Sequence, residues 1–326
     1  MSKSKVENIV LGTMTMGYGG YGIRVNSVAL VGEMLDCFER HGHRSLDTSL
    51  AYGDSSCERM LGDLGAGSRF KIAIRFHPGD YKGHEPSVLE ASVTASMARL
   101  HILSADILYL AMRDYATPIE STLQKVNELY SRGHFAQFGI SNFSAWEVAQ
   151  VCEICISNDW VRPTVYEGLY NAVSRVVEAE LFDCLRHYGM RFHAYNPLAG
   201  GAFAPGFGAD RKVKAGSRFD DSHPQGRFYR RRYWNDSYIE AMHDFQARCA
   251  GEGVDPVAAA LRWLVHHSYL DGVAEDGVII GASSLTHLEH NLAAVEDVPL
   301  PESIVDALDE ASRATRSSWP SYFARV

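Results

Sequence analysis

Strand and helix signals alternate along the whole chain, and this alternation constrains the fold more than any other feature. Short apolar or β-branched runs, such as residues 8–12 and 105–110, are each followed by a segment with apolar residues at helical spacing. Eight such strand–helix units follow one another without a linker. Alternation of this kind indicates a parallel sheet, and eight units suggest closure into an α/β fold of the (β/α)8 TIM-barrel type, a single domain over residues 1–326.

The alternative arrangement is an open doubly wound sheet. Its sequence fingerprint is a strand followed by G-x-G-x-x-G at the start of a helix. Residues 17–22 are rich in glycine, but they do not lead into a helix at the right distance. The closed barrel is therefore the favoured prediction.

Two segments lie outside the repeat. A Gly-, Arg- and aromatic-rich insertion covers about residues 198–235, and a tail helix and loop cover about residues 301–326. The insertion concentrates positive charge on an acidic chain, through Arg211, Lys212, Lys214, Arg218, Arg227, Arg230, Arg231 and Arg232. Two interpretations stay open: a lid over a pyrophosphate or an anionic substrate, or a solvated charged loop.

Composition excludes several classes of protein. The net charge of −9 argues against a general nucleic-acid binder. No run of eighteen apolar residues predicts a membrane span, and the polar N-terminus does not resemble a secretory signal. The six cysteines are scattered through predicted helices, so we interpret them as reduced thiols of a cytoplasmic protein. We predict no metal site.

Two helix starts carry the pattern of a capping box, in which Ser or Thr is followed three residues later by Glu. Residues 117–120 read Thr-Pro-Ile-Glu and residues 144–147 read Ser-Ala-Trp-Glu. The pattern predicts Thr117 and Ser144 as N-caps, with Pro118 in the first helical position.

An acid and a phenol, Asp47 and Tyr52, stand where the second predicted strand runs out into a loop. In such a fold the active site lies at the carboxyl ends of the barrel strands. A phenol has an ordinary pKa of about 10 and needs charged neighbours before it can exchange a proton near neutral pH. We therefore predict a catalytic site around this pair.

Several motifs in order resemble the aldo-keto reductase superfamily, most closely its aflatoxin-aldehyde reductase branch. The resemblance runs from about Leu11 to Phe323. The motifs are Leu11-Gly-Thr-Met-Thr-Met-Gly17, Asp47-x4-Tyr52, Gly139-Ile-Ser-Asn-Phe143, Pro163-Thr-Val-Tyr166, Tyr170-Asn171, Ala194-Tyr-Asn-Pro-Leu-Ala-Gly-Gly201 and Gly281-Ala-Ser-Ser-Leu285. The resemblance implies a (β/α)8 barrel that binds NADP(H) without a Rossmann domain.

The resemblance also implies roles at the cofactor. Ser141 and Asn142 match the pair that holds the nicotinamide carboxamide, and Tyr195 matches the aromatic that stacks on the nicotinamide. Ser283 and Ser284 match the loop for the adenosine 2′-phosphate, and a helix start independently favours a phosphate. The other positions expected at the cofactor are Glu167, Asn196, Leu198, Gly200, Arg218, Gly281, His287 and Asn291.

The catalytic pattern departs from the family at two of four positions. In the family, the tyrosine donates the proton, and a lysine paired with the aspartate lowers the pKa of the tyrosine. A histidine orients the carbonyl. The lysine position falls on Arg75 and the histidine position on Ala111. Lys71 cannot substitute, because four residues separate it from Arg75, about 13 Å at roughly 3.3 Å per residue.

A third change is Glu167, where the family has a glutamine near the carboxamide. Possible replacements for the lost donor are His77, His193 and the run Arg113–Tyr115. For each of them loop polarity or core packing is the favoured interpretation over catalysis.

Three functional readings follow. The first is an NADPH-dependent reductase of a bulky carbonyl compound in specialised metabolism, with Tyr52 as proton donor. The second is a non-redox cyclase, dehydratase or isomerase that uses Tyr52 as general acid, and the third is a cofactor-sensing binding protein. The branch suggests a possible homodimer. We expect the substrate pocket to be walled by Met16, Tyr18, Trp146, Tyr229, Trp234 and the tail from Trp319 to Phe323.

Overall fold

Eight parallel strands close into a barrel in the order of the chain. The computed structural model describes residues 5–78, 83–209, 212–213 and 217–323. The strands are β1 (Asn8–Gly12), β2 (Ser45–Asp47), β3 (Lys71–Phe76), β4 (Ala105–Leu110), β5 (Phe135–Ser141), β6 (Pro163–Leu169), β7 (Arg191–Tyr195) and β8 (Gly277–Gly281). The predicted TIM barrel is confirmed.

Helices surround the barrel. Six of them each follow a strand: α1 (Val28–Arg40), α2 (Ser56–Asp63), α3 (Pro86–Leu100), α4 (Ile119–Ser131), α5 (Ala145–Ser157) and α6 (Leu181–His187). Strand β7 is followed by three, α7 (Pro224–Tyr233), α8 (Asp236–Glu252) and α9 (Pro256–His266). Helix α10 (Leu285–Glu296) follows β8, and the tail helix α11 (Glu302–Thr315) packs on α8.

One of the two predicted capping boxes forms. Ser144 and Glu147 exchange the expected hydrogen bonds at the start of α5. The prediction at Thr117 was wrong: α4 begins at Ile119, and Pro118 is its N-cap without a side-chain hydrogen bond. The Thr117 hydroxyl instead bonds the Asp114 carboxylate, which competes for it locally.

The insertion contains a helix that its sequence did not predict. Residues 224–233 form α7, although three consecutive arginines leave it without a clear apolar stripe. The phenol of Tyr233, at its end, is fully buried and accepts a hydrogen bond from the Asn196 side chain at 2.7 Å. Tertiary contact therefore stabilises a segment whose local pattern is ambiguous.

The lower end of the barrel interior is polar. A cavity of about 640 Å³ there is lined by Lys71, Arg191 and His193, among others. The Tyr109 hydroxyl lies 3.0 Å from His193 Nδ1, and burial lowers the pKa of His193 to about 3, so the ring is neutral. Lys71 thus opens onto the opposite end of the barrel from Tyr52, as its position on the strand predicted.

All six cysteines are free thiols, and all except Cys184 are buried. In the described part of the chain, no helix combines the length and apolarity needed to cross a membrane.

Candidate active site

A cavity of about 1120 Å³ opens at the carboxyl ends of the strands. Asp47, Tyr52 and Arg75 line one part of it, and Ser283 and Asn291, after β8, line another. A cavity of this size exceeds what a drug-sized ligand fills, so it has room for two ligands side by side.

Tyr52 is held by the loop between β2 and α2. Its backbone N–H donates to the Ser49 carbonyl at 3.0 Å, which bends the chain directly after the strand. Gly53 has φ +57, and a Cβ there would lie 2.5 Å from Ser56 Oγ and 2.6 Å from Ile23 Cδ1. Only glycine fits without strain, and the tight turn directs the phenol back over the barrel.

Asp47 joins the phenol to a cation. Tyr52 Oη donates to Asp47 Oδ2 at 3.4 Å, and Arg75 Nη2 donates to Asp47 Oδ1 at 2.7 Å. The same Arg75 nitrogen also donates to the carboxylate of Glu167. Arg75 therefore spans two carboxylates, from β2 and β6, and makes no hydrogen bond to Tyr52.

These groups are nearly dry. Asp47 and Glu167 side chains are 5% and 2% exposed, and that of Arg75 is 11% exposed. Burial, with Asp47 adding to it and Arg75 opposing, raises the pKa of Tyr52 well above its ordinary value. Burial also raises the pKa of Glu167 to about 7, opposed by Arg75 and reinforced by Asp47. One cation cannot fully compensate two buried carboxylates.

Asn142 lies beside this cluster, in the left-handed region with φ +59. Its Nδ2 donates to the Ala111 carbonyl at 2.8 Å and to Ser141 Oγ at 3.0 Å, while Tyr195 Oη donates to its Oδ1 at 2.8 Å. Asn142 and Tyr195 line the cavity. Ser141 and Ala111 are buried behind them and are not among the lining residues, so their contribution is to position Asn142.

The insertion supplies the next wall. Asn196, Leu198, Gly200 and Arg218 all line the cavity. Asn196 Oδ1 accepts from the Gly200 N–H at 2.9 Å, which fixes the turn after β7. Arg218 Nη1 donates to the Tyr229 hydroxyl at 3.1 Å. Arg211 and Lys214 of the basic segment lie outside the described residues.

The start of α10 closes the far end. Gly281, Ser283, His287 and Asn291 line the cavity, while Ser284 caps the helix behind them by accepting from the His287 N–H at 3.2 Å. Ser283 Oγ lies 3.1 Å from His287 Nδ1, and Asn291 Nδ2 donates to the Gly281 carbonyl at 3.1 Å. The start of α10 therefore presents polar side chains to the cavity.

The sequence profile of the Aldo/keto reductase family matches residues 8–313. The chain belongs to this family.

Relatives of this aldo/keto reductase span nearly the whole chain. It is 41% identical to aflatoxin B1 aldehyde reductase member 2 of Homo sapiens, over 96% of this chain and 89% of the relative. It is also 35% identical to aldo-keto reductase pigE of Monascus ruber, over 97% of this chain and 96% of the relative. It is 37% identical to oxidoreductase sirO of Leptosphaeria maculans, over 89% of this chain and 88% of the relative. The resemblance inferred from the motifs is confirmed.

The residues suggested as replacements for the predicted missing histidine differ in whether they line the cavity of this aldo/keto reductase. His77 lines the cavity. The run after Ala111 does not: the Asp114 carboxylate accepts from the backbone of His84 and Ala116, and Tyr115 Oη donates to Glu147 at 2.6 Å. Met112 lines the cavity at this point instead.

The predicted pocket wall was wrong at Met16, Tyr18, Trp146 and Trp319, none of which lines the cavity. Met16 is fully buried in the core, Tyr18 donates to Asp63 on the surface, and Trp146 is 60% exposed. Tyr229, Trp234 and Phe323 do line the cavity. Sequence reasoning missed Met14, Arg24, Met112 and His290, because loop conformation decides which side of a loop faces the cavity.

The residues present fit an extended, anionic dinucleotide. Arg24 and Arg218 line the cavity, and among the described residues neither has a carboxylate partner. Burial, together with the nearby charge of Arg218, lowers the pKa of Arg24. Two cations left close together favour an anion between them. In the described ranges, no group of three or more His, Cys, Asp or Glu is arranged to hold a metal ion.

Proposed function

We propose that this protein reduces a bulky carbonyl compound of specialised metabolism with NADPH, and that Tyr52 donates the proton. The observation that carries the proposal is that a single cavity contains the Tyr52–Asp47–Arg75 cluster, the Asn142–Tyr195 pair and the start of α10. An acid, a platform for an aromatic ring and a phosphate-binding helix end are the parts such a reaction needs.

The chain's own residues would divide the work as follows. The Tyr52 hydroxyl gives its proton to the carbonyl oxygen, and Asp47, hydrogen-bonded to it, holds the phenol in place. Arg75 keeps the Asp47 charge compensated. Asn142 and Tyr195 would hold the nicotinamide, and Arg24, Arg218 and the first turn of α10 would hold its phosphates. When bound, the nicotinamide supplies the hydride.

The substrate class follows from the size and lining of the cavity. Phe219, Phe228, Tyr229, Trp234 and Phe323 contribute aromatic surface to it. Aromatic walls favour a flat, apolar ligand over a sugar. The relative from Homo sapiens has a name that gives an aflatoxin aldehyde as its substrate. A bulky aromatic or polyketide-like aldehyde or ketone is the proposed substrate here.

Fluorescence titration of the purified protein with NADPH, followed by NADPH consumption with a panel of small and bulky aldehydes and ketones, tests this proposal. We expect binding in the micromolar range and turnover of the bulky members. Tyr52→Phe should lose at least about 10²-fold in turnover while still binding NADPH. Tyr130→Phe, on the outer surface of α4, is the matched control. Absence of NADPH binding at millimolar concentration would refute the proposal.

A second candidate is a non-redox general acid reaction, such as cyclisation or dehydration. It is favoured by the Ala111 position, which carries no donor to orient a carbonyl for reduction. Product analysis by mass spectrometry distinguishes the two, because reduction adds two hydrogen atoms to the substrate, whereas cyclisation leaves its mass unchanged and dehydration removes water.

We also propose a cytoplasmic location, supported by six free thiols, which a reducing compartment preserves. A homodimer is proposed from the family resemblance alone. Size-exclusion chromatography with light scattering tests it directly.

A further inference from the structure

Glu167 and Arg75 together affect how tightly the phenol of Tyr52 holds its proton. Arg75 uses one nitrogen, Nη2, for both Asp47 and Glu167. Its Nε is buried without a hydrogen-bond partner. The guanidinium is thus drawn toward the two carboxylates, and no hydrogen bond connects it to the hydroxyl that it would have to acidify.

Charge counting shows what the second carboxylate does. With Glu167 protonated, Asp47 and Arg75 cancel, and the surroundings of Tyr52 are neutral. With Glu167 ionised, the cluster carries one net negative charge in a nearly dry site, which holds the phenolic proton more tightly. Glu167 itself has a free oxygen: Oε2 is bonded to Arg75, and Oε1 has no hydrogen bond to any residue in the described ranges.

We propose that Glu167 is a positioning residue that, by losing or gaining a proton, sets the acidity of Tyr52 through Arg75. The functional consequence rests on the proposed reductase function, but the ionisation itself does not. Tyr52 is the better acid when Glu167 is protonated. When Glu167 is ionised, its negative charge offsets that of Arg75 and Tyr52 holds its proton more tightly. Turnover should therefore fall as Glu167 ionises.

The neighbours of Glu167 with shifted pKa values do not titrate in the same range. Its strand neighbours are Ser141 on β5 and His193 on β7. Burial lowers the pKa of His193 to about 3, and burial raises those of Tyr109 and Tyr195 above their ordinary values. Arg75 keeps its charge, because Asp47 and Glu167 outweigh the effect of burial on its pKa. Burial raises the pKa of Glu167 itself to about 7.

The first measurement follows the carboxyl directly, without substrate or cofactor. Infrared difference spectra of the full chain, recorded between pH 5 and pH 9, should contain a protonated-carboxyl band that disappears with a midpoint near 7. Glu167→Gln should remove this band, and Asp47→Asn should shift its midpoint to lower pH. His77→Asn should leave it in place. A spectrum that Glu167→Gln does not alter would overturn the proposal.

The second measurement follows the phenol. A fluorinated tyrosine, which ionises at lower pH than tyrosine, is placed at position 52 and titrated by fluorine NMR. Its midpoint should be lower by about one pH unit or more in Glu167→Gln than with Glu167 present. An unchanged midpoint contradicts the proposal, even if Glu167 titrates. If Glu167→Gln does not fold, Glu167→Met supplies the comparison, because it removes the same negative charge.

Turnover separates this inference from the proposed function. With a reducible aldehyde, the wild-type kcat should fall as pH rises through about 7, and in Glu167→Gln the fall should move to higher pH while KM for NADPH changes less than kcat. If both titrations give the expected result but the protein reduces no aldehyde at any pH, the proposed reductase function is refuted and the positioning role of Glu167 stands. Reduction with a pH profile that Glu167→Gln does not alter would refute the positioning role alone.

Discussion

Arg75 and Glu167 form an ion pair across the interior of the barrel, between β3 and β6. Both side chains are nearly inaccessible to solvent, and Asp47 shares the same guanidinium. Breaking a buried pair leaves an uncompensated charge, so this contact contributes to stability as well as to chemistry.

A double-mutant cycle should measure that contribution. Arg75→Met leaves two buried carboxylates without a cation and should lower the free energy of unfolding by about 3–5 kcal/mol. Adding Glu167→Gln should restore part of it, since one carboxylate is removed. Urea denaturation of the four proteins gives the coupling. The exposed pair Arg248–Glu310 is the control, with a coupling expected below about 1 kcal/mol.

Stability should also depend on pH through Glu167. Its pKa is higher in the folded protein than in the unfolded chain, so the folded state binds the proton more tightly. The contribution is fully present below about pH 4.5 and is lost as pH rises to about 7. Denaturation at stepped pH should therefore give a wild-type minus Glu167→Gln difference in stability that declines across this window.

Asp114 should give a pH dependence of stability opposite in direction to that of Glu167, because its pKa is lowered on folding. Burial opposes the shift, but hydrogen bonds from Thr117 and from the His84 and Ala116 N–H groups lower its pKa to about 2. Its contribution is present above about pH 4 and is lost as pH falls toward 2. Asp114→Asn should therefore alter only the acid side of the same titration. If both variants altered the same pH window, the assignment of the Glu167 shift would be wrong.

Ser284 should affect both folding and phosphate binding. Its side chain caps α10, as that of Ser27 caps α1. Ser284→Ala and Ser27→Ala should each cost about 1 kcal/mol of stability by thermal or chemical denaturation. Only Ser284→Ala should weaken NADPH binding, by several-fold, because residues of α10 line the cavity and those of α1 do not. Equal NADPH affinity in the two variants would remove the start of α10 from the cofactor site.

The Ala111 position tests whether the missing donor limits the reaction. Arg75→Lys/Ala111→His introduces the residues that the motif resemblance predicts for the family and should raise aldehyde reduction by about 10²–10³-fold. Arg75→Lys/Ala111→Leu adds comparable bulk without a donor, and should not raise it. Initial rates with the aldehyde panel give the comparison. A natural protein that already matches the revertant would mean that other groups, such as His77, orient the carbonyl.

The barrel was predictable because its signal is repetitive. The predicted strands at residues 8–12 and 105–110 coincide with β1 and β4, since apolar runs bounded by turns are local features. Helix α7 was missed because its polar face is wide and its stabilising contacts, such as Asn196 with Tyr233, come from distant parts of the chain. Thr117 was misassigned because Asp114 competes for its hydroxyl.

Sequence by itself determined the family and the barrel and predicted Arg75, Ala111 and Glu167 as altered positions, because these depend on residue order alone. Tertiary structure decided how those positions act. Arg75 and Glu167 are 92 residues apart, and only closure of the barrel brings them within hydrogen-bonding distance. Burial then gives their charges an effect on Tyr52 that water would have screened, since electrostatic interactions strengthen as solvent is removed.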